Sequence, residues 1–225
     1  MKKIIGFCMF LVLPMAANSN VITLYNTGVN DDGTPRLEGQ KDLHYQLIST
    51  PQDVVFDTDF SSNSWISNDS KSAWIDPTPN ENGAWIIPTN ESDAPSGTYI
   101  YRTSFDLTGL DLNTVSIAGR WATDDFGDDI KLNGLSLEFT TSGSGFTHYS
   151  DFNITDNFVD GINNLDFVIY NSLGIAGLRV ELTGTGDAAV LAEVPVPAAV
   201  YLMGTGLVGL LRFKVHKKGA CKSSS

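Results

Sequence analysis

Residues 115–139, VSIAGRWATDDFGDDIKLNGLSLEF, constrain the fold more than any other stretch. Val115, Ile117, Gly119 and Trp121 alternate with Ser116, Ala118, Arg120 and Ala122, which is the period of a strand with one buried face. A loop crowded with Asp124, Asp125, Asp128 and Asp129 is expected next. Ile130 and Leu132 then run into Asn133-Gly134, two residues that both tolerate the positive φ of a type I′ turn. A two-residue turn pairs Leu132 with Leu135 and Ile130 with Leu137, so all four are expected on one buried face. The expectation is an antiparallel hairpin with a solvated outer side.

The rest of the chain repeats this pattern. Short strands are expected at residues 24–28 and 44–48. A long alternating one at 98–107 has Tyr99, Tyr101, Thr103, Phe105 and Leu107 on one side. Further strands are expected at 146–154, at 165–170 after a turn around Asp160-Gly161, and around Leu178, Val180 and Leu182. In the last of these the apolar residues alternate with Arg179 and Glu181. Amphipathic helices are missing, and Gly, Asn and Asp punctuate the runs, which predicts an all-β, antiparallel β-sandwich. Residues 57–96 break the rhythm. They are rich in Asp, Asn, Ser and Pro and hold Trp65, Trp74 and Trp85, so loops stapled onto the sandwich by tryptophans are expected there.

The chain has 225 residues and a net charge of −12, unevenly spread. Seven of its 14 basic residues lie in the end segments, which leaves seven against all 26 acids between Lys3 and Arg212, a balance of −19. So acidic a body repels phosphate backbones and argues against a nucleic-acid partner. The two cysteines, Cys8 and Cys221, fall one in each end segment, so the body between them has no disulfide. Residues 1–19 read as a secretory signal peptide: two lysines, an apolar run, then Pro14 and small residues before a cut after Ala17 or Ser19. Residues 20–190 form the expected sandwich domain. Residues 191–225 form a C-terminal segment with a Pro-rich linker, a short apolar span expected as a transmembrane helix, and a basic tail.

That last segment resembles the PEP-CTERM sorting signals of Gram-negative bacteria, in the variant that opens Val-Pro-Leu-Pro-Ala. Here the motif stands as Val194-Pro195-Val196-Pro197-Ala198, followed by a Gly-containing apolar span and the cationic cluster Arg212, Lys214, Lys217 and Lys218. The chain continues with GACKSSS, where the usual signal stops. The resemblance implies export through the Sec machinery, transient residence in the inner membrane, processing by an exosortase, and delivery to the cell surface or beyond. It also implies a setting of exopolysaccharide secretion. The body, over about residues 97–184, resembles a galactose-binding-like jelly roll. That likeness rests on Tyr101 to Leu107, Trp121-Ala122-Thr123-Asp124, Ile130-Lys131-Leu132-Asn133-Gly134 and Phe158-Val159-Asp160-Gly161-Ile162-Asn163-Asn164-Leu165. Such folds host binders, enzyme accessory domains and structural domains alike.

Two candidate sites follow. Sugars present apolar C–H faces and hydroxyl edges, so a carbohydrate site needs exposed rings beside polar groups; Trp65, Trp74, Trp85 and Tyr149 supply the rings. The alternative for the tryptophans is core or loop anchoring. Asp124, Asp125 and Asp128 suit a hard cation such as a structural calcium, and solvated charge is the alternative. No other cofactor is expected. Gly-x-Ser-x-Gly, His-Glu-x-x-His and a phosphate-cradling loop with lysine are all missing from the sequence. The functional expectation is a non-catalytic, exported surface or matrix protein with a polysaccharide ligand. The alternatives are a structural or adhesive protein without a small-ligand site, or a glycoside-active enzyme working through paired carboxylates.

Overall fold

The computed structural model describes residues 19–51, 66–77, 85–86, 94–141, 145–172 and 174–190. The expected signal peptide up to residue 18, Trp65, and the sorting segment with Val194, Pro195, Val196, Pro197 and Ala198 lie outside them. The chain divides into two compact units, Met1–Ala189 and Val190–Ser225. Among the described residues no helix is long and apolar enough to cross a membrane.

Eleven described strands build the first unit: β1 (Ser19–Val21), β2 (Gln46–Ser49), β3 (Ile75–Asp76), β4 (Trp85–Ile86), β5 (Gly97–Asp106), β6 (Ser116–Asp124), β7 (Phe126–Leu132), β8 (Leu135–Ser136), β9 (Ser150–Ile154), β10 (Ile162–Asn171) and β11 (Gly177–Asp187). They form two antiparallel sheets. One runs β4-β3-β11-β6-β9, with β1 also on β11, and the other runs β2-β5-β10-β7-β8. The all-β, antiparallel class read from the alternation is therefore present.

Alternation decides which side of each strand is buried. In β5, Tyr99, Tyr101, Thr103 and Phe105 are buried, and in β6 Ile117 and Trp121 are, as their period requires. Phe167 on β10 lies at the centre of the core. Its ring meets Tyr45 at 6.1 Å, Trp121 at 5.8 Å and Phe152 at 6.1 Å between centroids, the last edge-on. Trp121 and Phe152 come from one sheet and Phe167 from the other, so these rings join the two layers.

The Asn133-Gly134 turn has φ of 53° and 84°, the I′ geometry, with Leu132 opposite Leu135 and the Leu137 N–H donating to the Ile130 carbonyl. One detail differs from the expected face. Ile130 and Leu132 are buried and Leu137 packs partly on the core, but Leu135 is 51 % exposed. It stands beside the turn on a two-residue edge strand, a corner position with a neighbour on one side alone.

The expected acidic loop also differs. β6 runs through Asp124 and β7 starts at Phe126, so a single residue, Asp125, separates two strands that belong to different sheets. The chain turns a corner of the sandwich there, and Asp128 is the extra residue of a bulge in β7 opposite Val168 and Ile169. Close packing explains Gly127. A Cβ there would lie 2.8 Å from Trp121 Cζ2, inside the ring's van der Waals envelope.

At the N-terminal end, residues 24–28 are not a strand. The segment still follows β11, through Ile22 N–H to the Gly184 carbonyl and Thr27 N–H to the Val180 carbonyl. The expected strand at 146–154 is split into a 3₁₀ turn, Gly145–Thr147, and β9.

Two glycines test this account. Gly134 has open space around it, so Gly134→Val should cost about 1 kcal/mol through its positive φ alone. Gly127→Ala should cost more, about 1–3 kcal/mol, because the methyl overpacks the core against Trp121. Urea midpoints of the two variants in that order are the expected result; equal midpoints would mean that Trp121 has room to move.

Candidate functional site

The outer faces of the two sheets differ, and the expected site residues must be placed on them first. Trp74 is 2 % exposed and donates from its indole N–H to the Ile66 carbonyl at 2.7 Å. That corrects its reading as a sugar platform: with its faces packed it offers no surface to a ligand, and it serves as a loop anchor. Trp85 lies in β4, paired with Asp76 on β3. Tyr149 is half-buried, and the Arg120 guanidinium lies over its ring at 4.2 Å from the centroid, with Arg179 at 5.4 Å. A ring covered this way is not open for stacking a sugar on that face.

Tyr149 belongs to a polar network on the face of β6 and β11 that looks away from the core. Arg120 and Glu181 are register partners, and the arginine donates two hydrogen bonds of 3.0 Å to the carboxylate. The same carboxylate accepts from Ser72 Oγ at 3.0 Å and from the Tyr149 hydroxyl at 3.2 Å. Burial, more than any other influence, raises the Tyr149 phenol above its ordinary value. Arg179 is completely buried. It donates to Ser72 Oγ at 2.8 Å and to the Ser67 carbonyl at 2.6 Å, and it pairs with Asp69 at 3.3 Å. Burial opposes ionisation of Asp69, but the Lys71 and Ser72 N–H groups and Arg179 together hold its carboxyl below the ordinary value.

Alternation correctly put Arg179 on the side away from the core, but that side is not in water. Residues 66–72 bond to it from over β11. Nothing in the local pattern around Leu178, Val180 and Leu182 signals that cover. The Arg120–Glu181 and Arg179–Asp69 pairs are spent inside the protein, and their chemistry is that of a clamp.

The three acids read as a calcium set are not gathered. Asp124 is buried at the end of β6. Asp125 accepts from the Ser172 N–H at 2.7 Å and from the Ser172 hydroxyl. Asp128 stands exposed on the bulge. Among the described residues no group of three or more His, Cys, Asp or Glu side chains is placed to hold a metal ion. The corner between the sheets is what separates them: it sends Asp124 and Asp128 into different layers.

The outer face of the five-stranded sheet is organised differently. Phe126 on β7 and Tyr170 on β10 are register partners, and both stay exposed, at 37 % and 38 %. The next row along β5 and β10 holds Ile100 and Val168, and Ile48, at the irregularity in β2, is 43 % exposed at the edge. The row after that reads Gln46, Arg102, Asp166, Lys131 and Ser136 across all five strands. Arg102 and Asp166 form a two-pronged ion pair, Nε to Oδ1 at 2.6 Å and Nη2 to Oδ2 at 2.7 Å. Asp166, through its hydrogen bond first, raises the Arg102 guanidinium above its ordinary value. Ser104 donates to Asn164 Oδ1 at 2.7 Å in the row beyond. Exposed rings therefore share one face with ordered donors and acceptors, which lie two rows further along the strands.

Sequence reading missed this face because its members are scattered. Phe126 falls in the expected acidic loop, and Tyr170 ends an expected strand. Only the register of β7 on β10 makes them neighbours. No family model matches the chain, and no curated protein matches it either.

Arg179→Ala should lower stability by on the order of 3 kcal/mol, since it leaves buried acceptors without a donor. Arg120→Ala, at a half-exposed pair, should cost about 1 kcal/mol or less. Denaturant unfolding of both variants checks the ranking, and a larger loss at Arg120 would refute the clamp. On the bulge, burial and then the charge of Asp129 hold the Asp128 carboxyl above the ordinary value of 3.8. Because its folded pKa is raised, ionising Asp128 works against the fold, and stability from this group falls as pH rises through and above 3.8. Asp129→Asn should bring the Asp128 midpoint back down in a carbon-detected NMR titration.

Proposed function

We propose that this chain is an exported, non-catalytic β-sandwich protein of the cell surface or extracellular matrix that contacts polysaccharide through the open face of its five-stranded sheet. One observation carries the reading: Phe126 and Tyr170 are paired on neighbouring strands, both more than a third exposed, on the face that carries the Arg102–Asp166 pair two rows further along. Two rings left partly in water on a sheet face cost solubility, and rings on a face that also carries hydrogen-bonding groups suit a ligand with C–H faces and hydroxyl edges. The signal-like start and the sorting-like end, with Val194, Pro195, Val196, Pro197 and Ala198, support export by Sec and processing by an exosortase. The sandwich would then be released from the inner membrane into an exopolysaccharide-rich setting.

The non-catalytic part of the reading is supported by how the best-placed acids are used. Glu181 is occupied by Arg120, Ser72 and Tyr149, and Asp166 by Arg102, so neither is poised as an acid or base.

Affinity electrophoresis through gels containing host exopolysaccharide tests the reading. The native chain should be retarded, and Phe126→Ala and Tyr170→Ala should each lose several-fold in affinity with unchanged thermal midpoints, the scale of one stacked ring. A purely structural protein would migrate freely in every form. Intact mass of protein recovered from the native host tests export: the expected mass lacks both end segments, and a mass that includes residues 214–225 would refute the sorting.

A further inference from the structure

The reading that this sheet face binds polysaccharide leaves the class of polysaccharide open, and the inference here rests on that reading. The apolar side chains of the face run across the strands, not along one of them. Ile48, Ile100, Tyr170 and Phe126 belong to β2, β5, β10 and β7, four neighbours in the sheet; Val168, between Ile100 and Tyr170, is buried. At a strand spacing of roughly 4.8 Å the strip is about 14 Å long, more than a single sugar ring and suited to a short run of linked ones. Phe126 and Tyr170 are direct register partners, so their rings address neighbouring parts of one ligand whose axis crosses the strands.

Charge selects among such ligands. The row flanking the strip has two cations, Arg102 and Lys131, and Asp166 neutralises the first. Asp129 lies in the neighbouring row, with Asp128 on the bulge beside it and Asp106 at the far end of β5. Acids thus outnumber bases on this face, in a chain whose net charge is already −12. A polyanion laid along the strip would meet repulsion from the face and from the whole molecule. An uncharged glycan would not.

We infer that the open face of the five-stranded sheet takes a linear, uncharged polysaccharide lying across the strands and stacked on Phe126 and Tyr170, and that it rejects polyuronates.

The test uses the full chain with two soluble probes, a linear neutral β-glucan and a linear polyuronate, by calorimetry at low and high salt. The expected result is binding of the neutral polymer with little salt dependence, and binding of the polyuronate at least about tenfold weaker at low salt. The double variant Phe126→Ala/Tyr170→Ala, shown to be folded by near-ultraviolet circular dichroism, should lose neutral binding. Asp128→Asn/Asp129→Asn should strengthen polyuronate binding several-fold and leave neutral binding as it was. A polyuronate that binds more tightly than the neutral polymer, and is lost in the ring variant, would overturn the inference and keep the polysaccharide reading. Neutral binding that survives in the folded ring variant would overturn the inference by placing the ligand elsewhere. No binding of either probe or of host exopolysaccharide would overturn both.

Discussion

The contact between Phe167 and Trp121, with ring centroids 5.8 Å apart, is where the two sheets meet. Each ring is fully buried, and each comes from a central strand, β10 in one sheet and β6 in the other. The packing around it sets several sequence choices. Gly127 leaves room for the Trp121 ring, and Gly119 faces Phe152 in register, where a Cβ would come within 2.8 Å of the Glu181 carbonyl. Tyr45 reaches the same cluster and ends in a hydrogen bond to the Tyr25 carbonyl at 3.0 Å, which ties the N-terminal segment to the core. Loss of one such ring leaves a cavity in a close-packed interior, so the layers stand or fall together.

Once the layers are joined, each sheet has an outer side, and the protein treats the two differently. Over the rows of β6 and β11 that hold Arg120 with Glu181 and Ala122 with Arg179, the outer side is clamped shut. Arg179 is buried among carbonyls of residues 66 and 67, and Trp74 anchors the same segment. A buried guanidinium is tolerable because its donors meet carbonyls, a hydroxyl and Asp69. Over β5, β10 and β7 the outer side carries a row of charge beside a strip of apolar side chains, with two rings in water. The functional proposal follows from that asymmetry. Polar groups that satisfy each other hold structure together, and rings and donors with capacity to spare are free to meet a ligand.

The corner at Asp125 explains why the acids of residues 124–129 do not act as a group. A hairpin would have kept them on one loop, but the change of sheet puts Asp124 under cover and Asp128 on a bulge. The same corner brings Phe126 to the start of β7 and opposite Tyr170. One topological step therefore disperses the expected metal set and assembles the aromatic pair.

Local chemistry in the sequence determined the strand periods, the buried side of β5 and β6, and the I′ turn at Asn133-Gly134. It could do so because alternation and positive φ are properties of neighbours along the chain. The all-β class followed from the same signals. Tertiary structure alone decided which outer face is covered, that Arg179 is buried, that Trp74 is an anchor, and that Phe126 meets Tyr170. The cover over Arg179 and the meeting of Phe126 with Tyr170 join residues more than 40 positions apart, by a covering segment or by register, and no window of sequence contains that pairing.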